Sequence, residues 1–191
     1  MTTLPALHRR DLLRGAAILA GAAFTGLPAF AEGLDAVTSI DGVALPASTF
    51  AGKVVLVVNV ASFCGYTPQY TDLEALWTRY RAQGLIVLGV PCNQFNDQEP
   101  GSASEIKNFC STRYGVSFPL LAKQDVNGAT RSPLYRWLVG SPVGAGKDVG
   151  WNFEKFLVGR DGRVLARFPS WQPPMDPTVL TAVEIALAKG G

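Results

Sequence analysis

The sequence predicts a single α/β domain in which helices flank a central mixed β-sheet. The chain has 191 residues, 48% of them hydrophobic, which is enough for one core and too few for two ordinary domains. The apolar, β-branched run at residues 54–60 is typical of a parallel strand buried on both faces. An amphipathic stretch and a second apolar run at residues 85–90 follow it, so the three segments predict a right-handed β-α-β unit.

The elements around this unit are predicted from local signals. Asp41-Gly42 indicates a hairpin turn ahead of the first buried strand. Large apolar residues spaced by three and four over residues 70–80 predict the helix, with Thr67 as its N-cap and Gly84 after its end.

The second half of the chain begins with the capping box Ser102-Ala103-Ser104-Glu105, which predicts a helix through Tyr114. An Asp161-Gly162 turn between two extended segments predicts an antiparallel hairpin, which makes the sheet mixed. The other expected segments are an extended stretch at 116–121, a helix at 133–138, a loop at 141–146, hairpin strands at 152–158 and 164–168, and a helix at 178–188.

Charge and histidine content exclude several classes of function. The formal net charge is +2, and residues 1–31 carry all of it, so nothing in the rest of the chain favours nucleic acid or an anionic membrane. The single histidine is His8, in that same leader. The predicted domain, residues 32–191, therefore has no histidine, which excludes Ser-His-Asp triads, Cys-His proteases and histidine-ligated zinc there. We expect neither a metal nor a cofactor.

Residues 1–31 are predicted to be a twin-arginine export signal. Arg9-Arg10 precede a short apolar run at residues 16–24, and Ala29-Phe30-Ala31 is a small-x-small cleavage site. The signal predicts export of the folded domain, residues 32–191, to a bacterial periplasm. An uncleaved amphipathic tether is the alternative.

Cys64 is the candidate reactive residue. It follows the predicted central strand and precedes a helix N-terminus, where free N–H groups and the helix dipole favour a thiolate. Open α/β sheets also bind ligands at this edge. Thr67 stands where a thioredoxin carries its second cysteine, so a sulfenic acid at Cys64 needs Cys92, Cys110 or an external thiol to resolve it.

Four stretches of the sequence, one of which contains Cys64, indicate a family resemblance. They resemble the signature blocks of glutathione peroxidases, and connecting segments do so as well, over nearly all of the predicted domain. The stretches are Asn59-Val60-Ala61-Ser62-Phe63-Cys64-Gly65-Tyr66-Thr67, Pro91-Cys92-Asn93-Gln94-Phe95, Gln98-Glu99-Pro100-Gly101 and Trp151-Asn152-Phe153.

The resemblance implies a thioredoxin-like fold and a peroxidase that reduces hydrogen peroxide and organic or lipid hydroperoxides. It implies that Cys64 is the peroxidatic residue and that Gln98, Trp151 and Asn152 complete a tetrad. Neutral amide and indole donors can hold a thiolate and a peroxide oxygen without histidine. In cysteine-type members that use thioredoxin, the resolving cysteine lies in a Phe-Cys pair on the next helix, which here is Phe109-Cys110.

The partners and the quaternary state are expectations of the same resemblance. A thioredoxin-like protein or glutathione would be the reductant, Cys92 is expected to be structural, and the short segment between Leu138 and Trp151 favours a monomer or weak dimer. Disulfide formation would require the helix that carries Cys110 to unwind. Ordinary packing of Cys110, a peroxide sensor that passes its disulfide to a partner, and a thiol-disulfide adaptor are the alternatives.

Overall fold

The computed structural model describes Met1 and residues 33–189. The predicted leader, residues 1–31, therefore lies almost wholly outside the described residues, and its prediction as an export signal is not addressed by the fold. The described helices and strands are β1 (Ala36–Thr38), β2 (Ala44–Pro46), β3 (Val54–Val60), α1 (Gln69–Tyr80), β4 (Leu85–Pro91), α2 (Ala103–Tyr114), α3 (Pro133–Gly140), β5 (Lys155–Val158), β6 (Val164–Phe168) and α4 (Pro177–Ala188).

The central sheet is mixed, as predicted. Its order is β4-β3-β5-β6, with β3 and β4 parallel and the other two pairings antiparallel. Every residue of β3 is buried, which is why its sequence is apolar without alternation. β1 and β2 form a separate antiparallel hairpin.

Helices cover both faces of this sheet. On one face, Leu56 and Val58 pack with buried residues of α1, α2 and α4. On the other face, Val55 and Val57 pack against α3. This division places α2, and Cys110 with it, on the same side of the sheet as α1.

Helix ends follow the predicted capping chemistry, with one correction. Ser102 and Glu105 form the full capping box of α2, and Gly84 and Gly115 are in the left-handed conformation after their helices. Thr67 does not cap α1, since this helix has no side-chain cap within the described chain. The Thr67 hydroxyl is already used by the preceding turn.

Strand β5 begins three residues later than predicted. Phe153 has a φ of 64°, a left-handed conformation that breaks the extended backbone ahead of Lys155. The segment predicted to be extended, 116–121, meets its neighbours through isolated bridges at Leu120 and Leu121 rather than as a full strand. None of the described helices is long and apolar enough to cross a membrane.

Candidate active site

Cys64 lies in the turn between β3 and α1, with 9% of its surface exposed. Its backbone N–H donates to Thr67 Oγ1 at 2.9 Å, and that hydroxyl in turn donates to the Ala61 carbonyl at 2.9 Å. The Tyr66 N–H donates to Cys64 Sγ at 3.4 Å. The turn therefore fixes the Cys64 sulfur beside a backbone donor.

Two of the other predicted site residues are joined directly. Asn152 Nδ2 donates to Gln98 Oε1 at 2.9 Å. The Gln98 carbonyl accepts the Phe63 N–H at 3.0 Å, which ties the same loop to the residue beside Cys64. The bond from Asn152 occupies the acceptor of the Gln98 amide and leaves its NH₂ group to act as a donor.

Trp151 is held at the end of β3. Asn59 Nδ2 donates to the Trp151 carbonyl at 2.9 Å, and the Phe153 N–H donates to the Asn59 carbonyl. The half-buried indole packs on Phe95, with ring centroids 5.5 Å apart. The loops that carry Cys64, Gln98, Trp151 and Asn152 therefore meet at the carboxyl end of β3.

A buried polar network supports the Trp151-Asn152 loop, and the sequence analysis missed it. Glu154 forms an ion pair with Arg167, and its other oxygen accepts the Gly150 N–H at 2.7 Å. Arg167 also donates to the carbonyls of Gly144, Lys147 and Asp148. The available signal was a Glu and an Arg on segments predicted to pair in a hairpin.

Lys155 is a second missed residue. Its side chain is fully buried, and Nζ donates to the carbonyls of Phe153 and Gln172, each at 2.7 Å. Burial lowers the pKa of this amine to about 7, against the raising effect of Glu154 and Asp72. Lys155 thus fastens the strained residue Phe153 to the loop before α4.

Cys110 is buried in the middle of α2, with 1% of its surface exposed. Burial raises the pKa of its thiol to about 11, and the neighbouring Tyr70 hydroxyl opposes this shift. Cys64 and Cys110 belong to the same apolar cluster and are both free thiols. The structure therefore has the reduced form, with the helix that carries Cys110 intact.

Cys92 lies in different surroundings. It is fully buried in the cluster on the opposite face of the sheet, against α3. Burial raises the pKa of its thiol. The sheet therefore separates Cys92 from the cluster that contains Cys64 and Cys110.

A cavity of about 360 Å³ opens beside the Cys64 loop. Phe63 and Phe109 contribute aromatic rings with centroids 6.1 Å apart, and Phe63 is 65% exposed. The other lining residues come from the Cys64 loop, the turn after Gln98 and the first turns of α2, namely Ser62, Glu99, Pro100, Gly101, Glu105 and Ile106. The cavity thus presents an apolar wall beside the loop that carries Cys64.

Glu99 is an unusual member of this cavity because its side chain is fully buried. Neither carboxyl oxygen has a hydrogen-bond partner among residues 33–189. Burial raises the pKa of Glu99 to about 7, and Ser62 and Lys123 oppose the shift.

Among the described residues, no three His, Cys, Asp or Glu side chains are grouped so that they could hold a metal ion.

Known proteins resemble this chain in sequence and in fold. Hydroperoxy fatty acid reductase Gpx2 of Synechocystis sp. is 56% identical over 150 residues, 78% of this chain and 95% of the relative. Thioredoxin/glutathione peroxidase BtuE of Escherichia coli is 46% identical over 174 residues, 80% of this chain and 95% of the relative.

Solved structures, one of them of a thioredoxin-family protein, also resemble this chain. The crystal structure of apo Trgpx has a TM-score of 0.66 at 35% identity and covers 84% of this chain and 97% of its own. A thioredoxin-family thiol:disulfide interchange protein from Chlorobium tepidum has a TM-score of 0.60 at 17% identity, covering 80% and 92%, and confirms the thioredoxin-like fold. The glutathione peroxidase family model matches residues 34–139. The chain therefore belongs to the glutathione peroxidase family and is a thiol peroxidase that reduces hydroperoxides.

Proposed function

We propose that Cys64 is the peroxidatic residue and that Cys110 resolves its sulfenic acid. The Cys64 thiolate attacks the terminal peroxide oxygen, the O–O bond breaks, and water or an alcohol leaves after protonation. The observation that carries this proposal is the Tyr66 N–H aimed at Cys64 Sγ, in a turn whose neighbouring loops hold Gln98, Trp151 and Asn152.

The three neutral residues stabilise the charge that moves during this step. The Gln98 NH₂ group and the Trp151 indole N–H are donors for the thiolate and for the departing oxygen. Asn152 orients Gln98 through the 2.9 Å bond between their side chains. The buried network around Glu154 and Lys155 keeps the Trp151-Asn152 loop in place.

Organic hydroperoxides are proposed as substrates beside hydrogen peroxide. The apolar wall formed by Phe63 and Phe109 suits the hydrocarbon part of such a molecule. The name of the Synechocystis relative, a hydroperoxy fatty acid reductase, supports this assignment. We expect purified enzyme to turn over both hydrogen peroxide and a fatty-acid hydroperoxide with the same reductant.

The reductant is proposed to be a thioredoxin-like dithiol rather than glutathione. A Cys64–Cys110 disulfide is an intramolecular product that a dithiol protein reduces by exchange. The name of the Escherichia coli relative includes both thioredoxin and glutathione, so both are tested as donors. We expect thioredoxin to support turnover at a much lower concentration than glutathione.

The test is mass mapping of the reduced domain after one equivalent of hydrogen peroxide. Wild-type protein should form a Cys64–Cys110 disulfide, whereas Cys110→Ser should leave Cys64 as a sulfenic acid. Cys92→Ser is the matched control and should behave as wild type, since Cys92 lies on the other face of the sheet. Oxidised Cys64 without a disulfide in wild type would refute the role of Cys110, and unreacted Cys64 would refute the peroxidatic role.

Export to the periplasm by the twin-arginine route is proposed for residues 1–31. The support is the Arg9-Arg10 pair, the short apolar run and the Ala29-Phe30-Ala31 site. Replacing both Arg9 and Arg10 with Lys should leave the protein in the cytoplasmic fraction, whereas Arg14→Lys should not.

A monomer or weak dimer is proposed as well, and sedimentation of the mature domain tests it.

A further inference from the structure

We propose that Glu99 is the proton-transfer residue of the second half-reaction, in which the Cys110 thiol attacks the Cys64 sulfenic acid. Its carboxylate takes the proton of Cys110 and delivers it to the departing hydroxide. This inference rests on the proposed resolving role of Cys110. It goes beyond that role because it assigns the base that the buried thiol requires.

The position of Glu99 is the first argument. It lines the cavity together with Ser62 and Phe63 from the Cys64 loop and with Ile106 and Phe109 from α2. Ile106 and Phe109 lie one turn before and immediately before Cys110 on that helix. The carboxyl group is therefore set between the segments that carry the two cysteines.

The absence of fixed partners is the second argument. The Glu99 backbone N–H is held by Asn93 Oδ1 at 2.8 Å, so the residue itself is well placed. Its two carboxyl oxygens lie near the Ser62 hydroxyl and N–H, which oppose the pKa shift, but in the described part of the chain neither oxygen nor Ser62 Oγ forms a hydrogen bond of normal distance and angle. A buried carboxyl that served only to stabilise the fold would normally be paired.

The charged and titratable groups near Glu99 are consistent with a proton shuttle. Burial raises the pKa of Glu99 to about 7, and only Ser62 and Lys123 oppose the shift. Lys123 Nζ donates to the Gly101 carbonyl. The charge of Glu99 in turn contributes to the raised pKa values of three surrounding groups, which are Cys110, Cys92 and Tyr70.

The attack of the Cys110 thiol on the Cys64 sulfenic acid needs a base. On the intact helix, burial raises the pKa of the Cys110 thiol to about 11, so Cys110 enters this step protonated and must lose its proton as the helix loosens. A base that titrates near neutral pH is best suited to remove its proton during the attack. The Cys64 S–O bond breaks as the Cys64–Cys110 S–S bond forms, and the proton from Cys110 converts the leaving hydroxide to water. The sulfenic acid is the oxidant, so no other electron acceptor is needed.

Single-turnover oxidation separates the two steps. The reduced domain is mixed with one equivalent of hydrogen peroxide, quenched at set times, alkylated and analysed for thiol, sulfenic acid and disulfide. In Glu99→Gln we expect Cys64 oxidation within about twofold of wild type and disulfide formation slowed at least tenfold, in line with typical contributions of general bases. The rise of the disulfide rate between about pH 6 and 8 should also disappear.

Asp97→Asn is the matched control. Asp97 is exposed two residues from Glu99, and an asparagine keeps the oxygen that accepts from Asn93 Nδ2. This variant removes a nearby negative charge and should keep the wild-type rate and pH profile. Equal slowing in both variants would overturn the proposal, as would wild-type disulfide kinetics in Glu99→Gln.

Wild-type protein provides a test that does not depend on the folding of any variant. Its disulfide-forming step should accelerate with pH through one ionisation near neutral pH, and a rate constant that is flat from pH 5.5 to 8.5 would overturn the role of Glu99. Failure of the underlying function looks different, because wild type would then form no Cys64–Cys110 disulfide at any pH.

Discussion

The side chains of Asn152 and Gln98 are joined by a 2.9 Å hydrogen bond although they lie 54 residues apart in the sequence. The bond connects the loop before β5 to the loop before α2. It also orients the Gln98 amide, because the carbonyl oxygen accepts and the NH₂ group is left to donate. In the proposed mechanism, Asn152 therefore acts on the peroxide step in part through Gln98.

This relationship predicts strong coupling between the two residues. Gln98→Ala and Asn152→Ala should each lower the second-order rate constant of Cys64 oxidation by about 100-fold, the lower end of the range for losing one donor at such a site. The double variant should be only slightly slower than the slower single variant, because each change removes the same oriented amide. Stopped-flow measurement of Cys64 oxidation by hydrogen peroxide in the two single variants and the double variant tests this coupling. If the free-energy effects of the two substitutions add in the double variant, the side chains act independently.

The buried pair of Glu154 and Arg167 predicts a stability effect. Their side chains are 7% and 16% exposed, so Arg167→Met leaves an uncompensated carboxylate in the interior and should lower the free energy of unfolding by about 3–5 kcal/mol. It should also slow Cys64 oxidation, because Arg167 and Glu154 hold the backbone of the segment that leads into Trp151.

A second substitution separates charge from structure in this pair. Glu154→Gln combined with Arg167→Met removes both charges and should recover more than half of the lost stability in urea denaturation. If the double variant is as unstable as Arg167→Met alone, the lost backbone bonds rather than the unpaired charge account for the effect.

The sequence predicted most of the fold because the relevant signals are local. The uninterrupted apolar run of β3, the 3.6-residue periodicity of α1 and the capping box of α2 each reflect contacts within a few residues or burial on both faces. The start of β5 was missed because the left-handed conformation of Phe153 is imposed by its bonds to Asn59 and Lys155, which are tertiary.

Only part of the candidate site could be predicted from local sequence signals. Cys64 could be placed from its position after a buried strand, whereas Gln98, Trp151 and Asn152 were identified through the family resemblance. The ion pair of Glu154 with Arg167 depends on strand register and side-chain burial, which no local pattern encodes. Glu99 lies in the Gln98-Glu99-Pro100-Gly101 block, but its full burial results from tertiary packing, which the block does not show.

The raised pKa of Glu99 predicts a pH-dependent effect on stability. The folded protein retains this proton up to about pH 7, whereas the unfolded chain releases it near the ordinary value of 4.5. Stability contributed by the protonated form is therefore present below pH 4.5 and is lost as the pH rises towards 7. Glu99→Gln does not ionise, so its stability relative to wild type should rise by roughly 3 kcal/mol between pH 5 and 8.

Urea denaturation of wild type, Glu99→Gln and Asp97→Asn at pH 5, 6, 7 and 8 measures this difference. The Asp97→Asn curve should run parallel to wild type, because that side chain is exposed. A constant difference between Glu99→Gln and wild type across the range would mean that Glu99 titrates near its ordinary value.

The capping box of α2 predicts how fast the disulfide forms. Ser102 Oγ accepts the Glu105 N–H, and the Glu105 carboxylate accepts the Ser102 N–H at 2.7 Å. Cys110 is buried on this helix, so the proposed disulfide with Cys64 would require the helix to loosen. Ser102→Ala should weaken the helix start by about 1 kcal/mol and accelerate disulfide formation up to about fivefold, without changing the rate of Cys64 oxidation.

Ser132→Ala is the matched control for this prediction, because Ser132 caps α3 through an equivalent 3.4 Å bond from the Tyr135 N–H. It should lower thermal stability to a similar extent and leave the disulfide rate unchanged, since α3 packs on the opposite face of the sheet. Single-turnover kinetics of both variants make the comparison. An equal acceleration by Ser132→Ala would point to global unfolding as the route by which Cys110 reaches Cys64, and an unchanged rate in Ser102→Ala would mean that α2 opens without loosening its first turn.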